Sequence, residues 1–350
     1  MRILLIAGSY PPETGGIAQF MHDFAQGLRA RGVDLTVAAT PKLPKRGYLQ
    51  RIAACRSEVA RQAQGEPFDR IVASSWSPYA VALPRPYDVF CHGMDLLEPS
   101  RSLRYRLLMR KTLKGASKIL ANSRYTAALA VRFGAAATDT VILHPGVDTE
   151  IFQPANERKP GPAVLLSVGR LVERKGFDTV IRALPGIIQE FPGTTYVCAG
   201  DGPDRLRLAE LARETGVAAN VRFTGEITEE EKAGLYRSAD IFVMPNRVTE
   251  HDGSVEGFGI VLLEAAACGI PSIAGDSGGT ADAVEHGETG FLVPPSNVEE
   301  FSGRISALLS SHELRRRMGR AGRARVVRDF QAGQIAERYL AALDSVRKNG

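Results

Sequence analysis

The most informative stretch of the sequence is residues 255–269, VEGFGIVLLEAAACG. Two glycines precede Ile260–Ala267, which is apolar enough to form a buried helix. Glu256 stands before this helix and Glu264 within it, and a carboxylate in an apolar helix is costly unless a polar group satisfies it. A helix amino end binds anions and sugar hydroxyls through unpaired N–H groups. The segment therefore predicts either two acids holding two hydroxyl-rich parts of one ligand, or a surface acid and an internally hydrogen-bonded one.

Outward from this segment, short apolar runs alternate with amphipathic stretches such as 17–31 and 179–191. The runs are apolar throughout, as expected of strands that helices cover on both faces. The pattern therefore predicts an α/β fold with doubly wound parallel sheets. The predicted strands are 3–7, 33–39, 70–73, 87–91, 118–121, 140–143, 163–168, 195–199, 221–223, 240–244, 271–274 and 291–293.

The chain of 350 residues is longer than one hydrophobic core usually supports, so two domains are expected. The strand and helix pattern pauses at FQPANERKPGP, which is rich in proline and polar residues. We therefore predict an N-terminal domain at 1–153, a linker at 154–162 and a C-terminal domain at 163–331. The last helix, 332–347, could belong to the C-terminal domain that it follows or pack back on the N-terminal domain. In doubly wound domains, ligands bind at the carboxyl ends of the strands.

Charge and cysteine content narrow the class of protein. Residues 1–150 hold 20 Lys and Arg against 12 Asp and Glu, which suggests an anionic partner for that half. The four cysteines are scattered without a C-x-x-C pair, so neither a disulfide framework nor a zinc site is predicted. No apolar run reaches the roughly 18 residues that cross a bilayer. We expect a cytoplasmic protein, peripheral at the inner face of the plasma membrane, with no nucleic-acid partner.

A set of further motifs resembles glycosyltransferase family 4. EGFGIVLLEAAACGIP and the following GDSGGTADAVEHGETGFLVPP resemble the E-x7-E signature and loop of that family. The resemblance continues in GRLVERKGFDTVIRAL and AGDGP, and in PPETGGIAQF, HGMD, ANSRYT and HPGVD of the first half. It spans nearly the whole chain in the right order. It implies the GT-B fold, two Rossmann-like domains with the active site between them, and transfer that retains the anomeric configuration.

The resemblance also implies residue roles. Arg170 and Lys175 resemble the pair that clamps the donor diphosphate, and such cations would stabilise the leaving group as its charge develops. Glu256 resembles the acid that contacts the transferred sugar, Glu264 the one that binds the ribose, and His92 the active-site histidine. Taken alone, each of these residues has an ordinary structural alternative. The remaining predicted donor-site residues are Gly15, Gly16, Gly169, Gly257, Phe258, Gly259, Ile260 and Val261.

One position departs from the family pattern, and the metal-binding pattern is absent from the sequence. His144 of HPGVD stands where the family usually has Asn, which leaves its role open. There is no D-x-D element, and Glu250, Asp252 and Glu256 lack a histidine partner at helical spacing. We therefore expect no metal and no other cofactor, only a GDP- or UDP-sugar donor.

The acceptor is predicted from residues 101–118, RSLRYRLLMRKTLKGASK, with seven Lys and Arg and no acid. Such a basic amphipathic helix fits an anionic membrane and a lipid-linked or other glycan acceptor, or else a solvated helix that steers anionic donors. The E-x7-E region is similar to bacterial phosphatidylinositol mannoside mannosyltransferases, which makes GDP-mannose the first donor expected. UDP-glucose and UDP-GlcNAc remain alternatives, as do a UDP-sugar epimerase, an NAD-dependent oxidoreductase and a non-catalytic binding protein. The oxidoreductase would lack its G-x-G-x-x-G fingerprint.

Overall fold

The computed structural model describes residues 1–13, 15–39, 48–62, 67–77, 80–84, 86–98, 102–155 and 161–347. Residues 156–160 of the predicted linker lie outside the described residues. The chain divides into two compact units, Met1–Gly146 with Ala332–Gly350, and Val147–Gln331. No helix among these described ranges is long and apolar enough to cross a membrane.

The first unit contains a six-stranded parallel sheet in the order β2-β1-β3-β4-β5-β6. The strands form because their apolar residues are buried on both faces, as in β1 and β4. The strands are β1 (Arg2–Ala7), β2 (Asp34–Ala39), β3 (Arg70–Ala73), β4 (Tyr87–Cys91), β5 (Lys118–Ala121) and β6 (Thr140–Ile142). The helices are α1 (Gly16–Arg29), α2 (Tyr48–Gln62), α3 (Met94–Leu97), α4 (Leu103–Gly115), α5 (Arg124–Arg132) and, from the C-terminus, α13 (Gln334–Arg347).

Helix α13 packs on helix α1 within the first unit. A Cβ at Gly27 would lie 2.8 Å from the Cβ of Ala336, so the glycine lets the two helices approach closely. The ring of Tyr339 meets Phe24 edge-on, and its hydroxyl donates a 2.7 Å hydrogen bond to Oδ2 of the buried Asp88 on β4. The C-terminal segment is thus part of the core of the first unit.

The second unit contains another six-stranded parallel sheet, in the order β12-β11-β10-β7-β8-β9. This is the Rossmann order, which reverses direction between β7 and β10. The strands are β7 (Val164–Val168), β8 (Thr195–Ala199), β9 (Val221–Phe223), β10 (Ile241–Met244), β11 (Ser272–Gly275) and β12 (Gly290–Val293). The helices are α6 (Phe177–Glu190), α7 (Arg205–Glu214), α8 (Glu229–Ser238), α9 (Ile260–Ala267), α10 (Thr280–Ala283), α11 (Val298–Ser310) and α12 (His312–Asp329).

The predicted α/β class with two doubly wound parallel sheets is confirmed, and each of the predicted strands is present. The boundary between the units differs from the sequence-based one. The first unit ends at Gly146 rather than at 153, because the segment after it packs in the second unit. Val147 N donates to Phe330 O over 2.8 Å, and Phe152 belongs to the apolar core around α9.

Candidate functional site

The second unit brings two loops together where its strand order reverses. One loop follows β7 and contains Gly169 and Lys175, and the other follows β10. Gly176 joins them: its φ is +71°, and a Cβ there would lie 2.1 Å from Pro245 O, so only glycine fits. The backbone of the first loop is therefore locked against the end of β10. In Rossmann folds, ligands bind at this switch point.

Glu256 lies between two cations of the first loop. Its Oε2 is 2.7 Å from a guanidinium nitrogen of Arg174 and 2.6 Å from Nζ of Lys175. Burial by itself would raise the pKa of Glu256, but the charges of Lys175 and then of Arg174 outweigh burial and lower the pKa below its usual value. The carboxylate is thus held ionised between two cations.

The backbone around Glu256 is fixed by the glycine turn after β11. Gly279 N donates to Glu256 O over 2.9 Å. A Cβ on Gly278 would lie 2.2 Å from Glu256 O, and one on Gly279 would lie 2.1 Å from Gly257 O. These close approaches explain why SGG follows the E-x7-E segment in the sequence, since larger residues would push Glu256 away from Lys175.

Helix α9 begins beside this carboxylate. Gly259 is its N-cap residue with a φ of +97°, and Ile260 and Val261 form its first turn. N–H groups of a first helical turn have no partner within the helix and can donate to a ligand. Phe258 is buried in the apolar core, so its backbone is the part that remains for ligand contact.

Glu264 is buried within α9 and has two partners on α8. Its Oε1 lies 2.8 Å from Nζ of Lys232, and the hydroxyl of Tyr236 donates to its Oε2 over 2.8 Å. Lys232 and Tyr236 are four residues apart and therefore share one helix face. The capping box of Thr228 and Glu231 fixes the residue at which α8 begins, and therefore which residues lie on the face that contains Lys232 and Tyr236. Glu264 is therefore an internally satisfied acid.

Arg170 is exposed and does not contact Glu256 in this structure. It lines a cavity of about 360 Å³ together with Arg174, Pro203 and the loop after β10. Asp252 of that loop accepts hydrogen bonds from the hydroxyls of Ser254 and Thr249, which hold its pKa below the usual range. Two arginines thus face a cavity that adjoins the Glu256 cluster.

In the first unit, His92 follows β4 and is buried. Its Nε2 lies 2.8 Å from Ser74 O, and because a carbonyl oxygen only accepts, Nε2 is the donor of this hydrogen bond. His92 N donates to Asp95 Oδ1 over 2.9 Å. Burial raises the pKa of Asp95 against the opposing influence of His92. The ring of His92 is thereby held in one orientation at the carboxyl edge of the sheet.

Gly15 and Gly16 lie at the amino end of α1, after β1. Gly15 is the N-cap residue with a φ of +130°, both glycines are exposed, and a Cβ on Gly15 would meet nothing within 4 Å. The predicted role of these glycines and of His92 stays a prediction for the first unit. In the structure, both glycines and His92 lie at the carboxyl edge of the first-unit sheet.

Three residues of the second-unit site were not singled out in the sequence. Arg174 holds Glu256, and Lys232 and Tyr236 hold Glu264. For Lys232 and Tyr236 the available signal was the capping box TEEE, which predicts the start of α8 but not its partner helix. Among the described residues, no group of three or more His, Cys, Asp and Glu side chains could hold a metal ion.

Two family models match the chain along most of its length. The model described as "Glycosyl transferases group 1" matches residues 148–325, and the model described as "Glycosyltransferase Family 4" matches residues 14–151. The chain therefore belongs to this glycosyltransferase family, and it is an enzyme of that class with the GT-B fold. This membership decides against the oxidoreductase, epimerase and binding-protein alternatives.

Particular relatives refine the comparison. The chain is 32% identical to a GDP-mannose-dependent alpha-(1-6)-phosphatidylinositol monomannoside mannosyltransferase of Mycobacterium tuberculosis, over 99% of this chain and 100% of that one. Sucrose-phosphate synthase from Thermosynechococcus elongatus has a TM-score of 0.84 at 21% identity, over 100% of both chains. Anabaena HepE in complex with UDP and glucose has a TM-score of 0.78 at 22% identity, over 99% of this chain and 100% of that one.

Proposed function

We propose that this glycosyltransferase moves mannose from GDP-mannose to a hydroxyl of a glycolipid acceptor, with retention of the anomeric configuration. The assignment of the site rests on the position of Glu256, which lies between Lys175 and Arg174 where the strand order reverses. The donor and the acceptor class are taken from the similarity to the mycobacterial mannosyltransferase. The same proposal expects mannosylation of a cell-envelope glycolipid.

The charges of the site fit a diphosphate. Arg170 and Lys175 are the two cations assigned to the diphosphate, and Arg174 holds Glu256 beside them. Glu173, Asp204 and Asp252 also line the cavity that Arg170 faces. In this proposal, the diphosphate of a nucleotide sugar forms charge-assisted hydrogen bonds with Arg170 and Lys175. Ile260 and Val261 offer first-turn N–H groups to the same anion. In this proposal, donor binding draws Lys175 from Glu256 to the diphosphate and frees Glu256 for a sugar hydroxyl.

The proposed step is a front-face substitution. The bond between the anomeric carbon and the β-phosphate oxygen breaks, and the acceptor oxygen forms a bond to that carbon on the same face. The proton of the acceptor hydroxyl passes to the departing phosphate oxygen, so GDP leaves as the conjugate acid of that group. Lys175 and Arg170 stabilise the negative charge that develops on the phosphate.

The donor is tested by titration calorimetry with GDP-mannose, UDP-glucose and UDP-GlcNAc. We expect GDP-mannose to bind most tightly, and Lys175→Ala to weaken that binding at least tenfold. Arg213→Ala is the matched control, because Arg213 is an exposed arginine of α7 that forms a surface ion pair with Glu210. Tighter binding of a UDP-sugar would overturn the donor assignment but leave the site in place.

Stereochemistry is tested on the isolated product. GDP-mannose carries an α-linked mannose, so retention gives an α-mannoside. The one-bond carbon–proton coupling at the anomeric carbon distinguishes the α- from the β-mannoside. A β-mannoside would refute the front-face step.

We propose that the reaction requires neither a metal ion nor another cofactor. Arg170 and Lys175 occupy the electrostatic role that Mg²⁺ plays where a D-x-D element binds a diphosphate. Initial rates should therefore be the same in excess EDTA and after addition of Mg²⁺ or Mn²⁺. Loss of activity in EDTA, restored by either ion, would contradict this part of the proposal.

We propose that helix α4 rests on an anionic membrane that contains the acceptor. Leu103 is 69% and Leu107 is 60% exposed, one turn apart, and Arg104 and Arg106 beside them are exposed. Exposed leucines flanked by arginines fit the boundary between headgroups and acyl chains. Lys118, at the end of the basic segment 101–118, is not part of this surface: it is buried in β5, and its Nζ lies 3.3 Å from Asp139.

Membrane binding is tested with vesicles of phosphatidylcholine and phosphatidylinositol at low salt. We expect the wild-type protein to sediment with them and Leu103→Ser/Leu107→Ser to remain in the supernatant. Leu206→Ser is the matched control, since Leu206 is an 83% exposed leucine on α7 of the other unit. Equal sedimentation of the double variant and the control would refute the role of α4.

A further inference from the structure

A second cavity, of about 700 Å³, lies at the opposite edge of the same sheet from Glu256. Its wall includes Ala239 and Asp240, which precede β10, and Ile270 and Pro271, which precede β11. In a parallel sheet, the residues that precede the strands share one edge and those that follow them share the other. Because Glu256 follows β10, this cavity is separate from the site described above.

Three arginines without carboxylate partners line this cavity. Arg237 is half-buried near the end of α8, and Arg316 and Arg320 are exposed one turn apart on α12. Within the described part of the chain, none of the three forms an ion pair. Two other arginines of α12 do: Arg325 lies 2.9 Å from Glu285, and Arg328 lies 2.6 Å from Asp329.

Two further arginines of the wall donate hydrogen bonds to backbone carbonyls. Arg323 donates to Phe152 O and Ala267 O over 2.8 and 2.9 Å, and it thereby neutralises the negative end of the α9 dipole. Arg315 donates to Leu309 O over 2.7 Å. Carbonyl partners leave both arginines with their full positive charge, and burial lowers the pKa of Arg315 because no anion compensates the charge.

The described wall of the cavity carries little negative charge. Among the described residues that line it, Asp240 is the only acid, and its Oδ2 accepts a 2.8 Å hydrogen bond from Val164 N. The wall therefore has a large excess of positive charge. Uncompensated positive charge in a concave site concentrates anions there.

The arginine face of α12 is held rigidly. A Cβ on Gly319 would lie 1.9 Å from Gly269 O, so α12 touches the turn after α9 backbone to backbone. Gly319 lies between Arg316 and Arg320 on the helix, and all three residues line the cavity together with Gly269 of that turn. A rigid support lowers the entropy cost of binding a ligand to these side chains.

We propose that this cavity is a binding site for an organic phosphomonoester. Three free guanidinium groups exceed what one carboxylate can neutralise, whereas a phosphomonoester carries close to two negative charges and matches the donor fork of arginine. The volume falls within the roughly 300–1,000 Å³ of small-molecule sites, so it holds an organic body as well as the phosphate. The proposal does not depend on the donor or acceptor proposed above.

The test uses glycerol 3-phosphate in titration calorimetry at constant ionic strength. We expect saturable binding to the wild-type protein and at least tenfold weaker binding to Arg316→Gln/Arg320→Gln. The matched control is Arg317→Gln/Arg328→Gln, which removes the same charge from exposed positions of α12 outside the cavity. Arg174→Gln/Lys175→Gln should bind like the wild type. Arg237→Gln, in a different helix, should also weaken binding.

A second arm identifies the source of the phosphate. Vesicles of phosphatidylcholine with phosphatidic acid present the same phosphomonoester on a lipid. Loss of glycerol 3-phosphate binding in Arg316→Gln/Arg320→Gln supports a free metabolite, and loss of vesicle binding alone in that variant supports a lipid headgroup. Equal binding by the two α12 double variants, loss only in Arg174→Gln/Lys175→Gln, or no binding of either probe to the wild type would overturn the proposal.

Discussion

Lys175 and Glu256 form an ion pair, with Nζ and Oε2 2.6 Å apart, although the two residues are 81 positions apart in the sequence. The pairing follows from the strand order, because β7 and β10 are neighbours and their loops emerge side by side. The cation predicted for the diphosphate therefore pairs with the acid predicted for the sugar. In the proposed function, the donor diphosphate replaces Glu256 as the anionic partner of Lys175.

Replacing Lys175 with alanine should lower kcat about 10²- to 10³-fold, as loss of one electrostatic group at a developing anion does. The same change leaves Glu256 with Arg174 as its remaining cation. Arg174→Ala should have a smaller effect, about tenfold, because Arg174 positions Glu256 in this scheme and is not the residue of the diphosphate clamp. Both are measured as initial rates with GDP-mannose.

Arg213→Ala is the control for a lost surface charge. If Lys175→Ala turns over like Arg213→Ala, Lys175 does not act at the leaving group. If Arg174→Ala is the more damaging of the two, the roles assigned to the neighbouring cations are reversed.

The lowered pKa of Glu256 predicts a pH-dependent contribution to stability. An acid with a depressed folded-state pKa contributes stability that is present above its unfolded value of about 4.3 and is lost as the pH falls through the folded value. Glu256→Gln should therefore cost about 1–3 kcal/mol at pH 7, and the cost should shrink as the pH falls below about 4.3. Urea unfolding of wild type and variant across this range measures it. A cost that does not change with pH would contradict the ion pair.

Much of the fold follows from local sequence. Continuous apolar runs predicted each strand, because strands buried on both faces carry no polar alternation. The position of Glu256 and Lys175 at the carboxyl ends of strands was also predictable from the order of strand, loop and helix. The sequence predicts that such loops meet, since parallel strands carry their loops at a common edge.

The partners of the site acids were not predictable in the same way. Lys232 and Tyr236 reach Glu264 because α8 packs beside α9, and that placement depends on the whole sheet. Arg174 adjoins Lys175, and the single helical turn before Gly176 sets which way each side chain points. Lys118 belongs both to the basic segment 101–118 and to the predicted strand 118–121, and the structure places it in the strand, where it is buried.

Gly176→Ala should abolish donor binding and destabilise the second unit. Its φ of +71° costs an alanine about 1–2 kcal/mol, and the new Cβ would lie 2.1 Å from Pro245 O. The loop must then move away from β10 and carry Lys175 with it. Thermal unfolding and GDP-mannose titration measure the two effects.

Gly216→Ala provides the matched control, because its φ is +73° and a Cβ there meets nothing within 4 Å. It should show only the backbone cost and normal donor binding. Equal effects of the two substitutions would mean that the contact with Pro245 is unimportant.

Lys232→Met should destabilise the protein by about 3–5 kcal/mol, because it leaves Glu264 as a buried charge without its cation. Adding Glu264→Gln should recover part of that loss, since two neutral side chains of similar size can replace a buried ion pair at little cost. Stability should recover, but GDP affinity should not. If Glu264 binds the ribose, the double variant binds GDP at least tenfold more weakly than the wild type. Denaturant unfolding and GDP titration of both variants separate the two roles. Recovery of both stability and GDP affinity would show that Glu264 is a structural acid only.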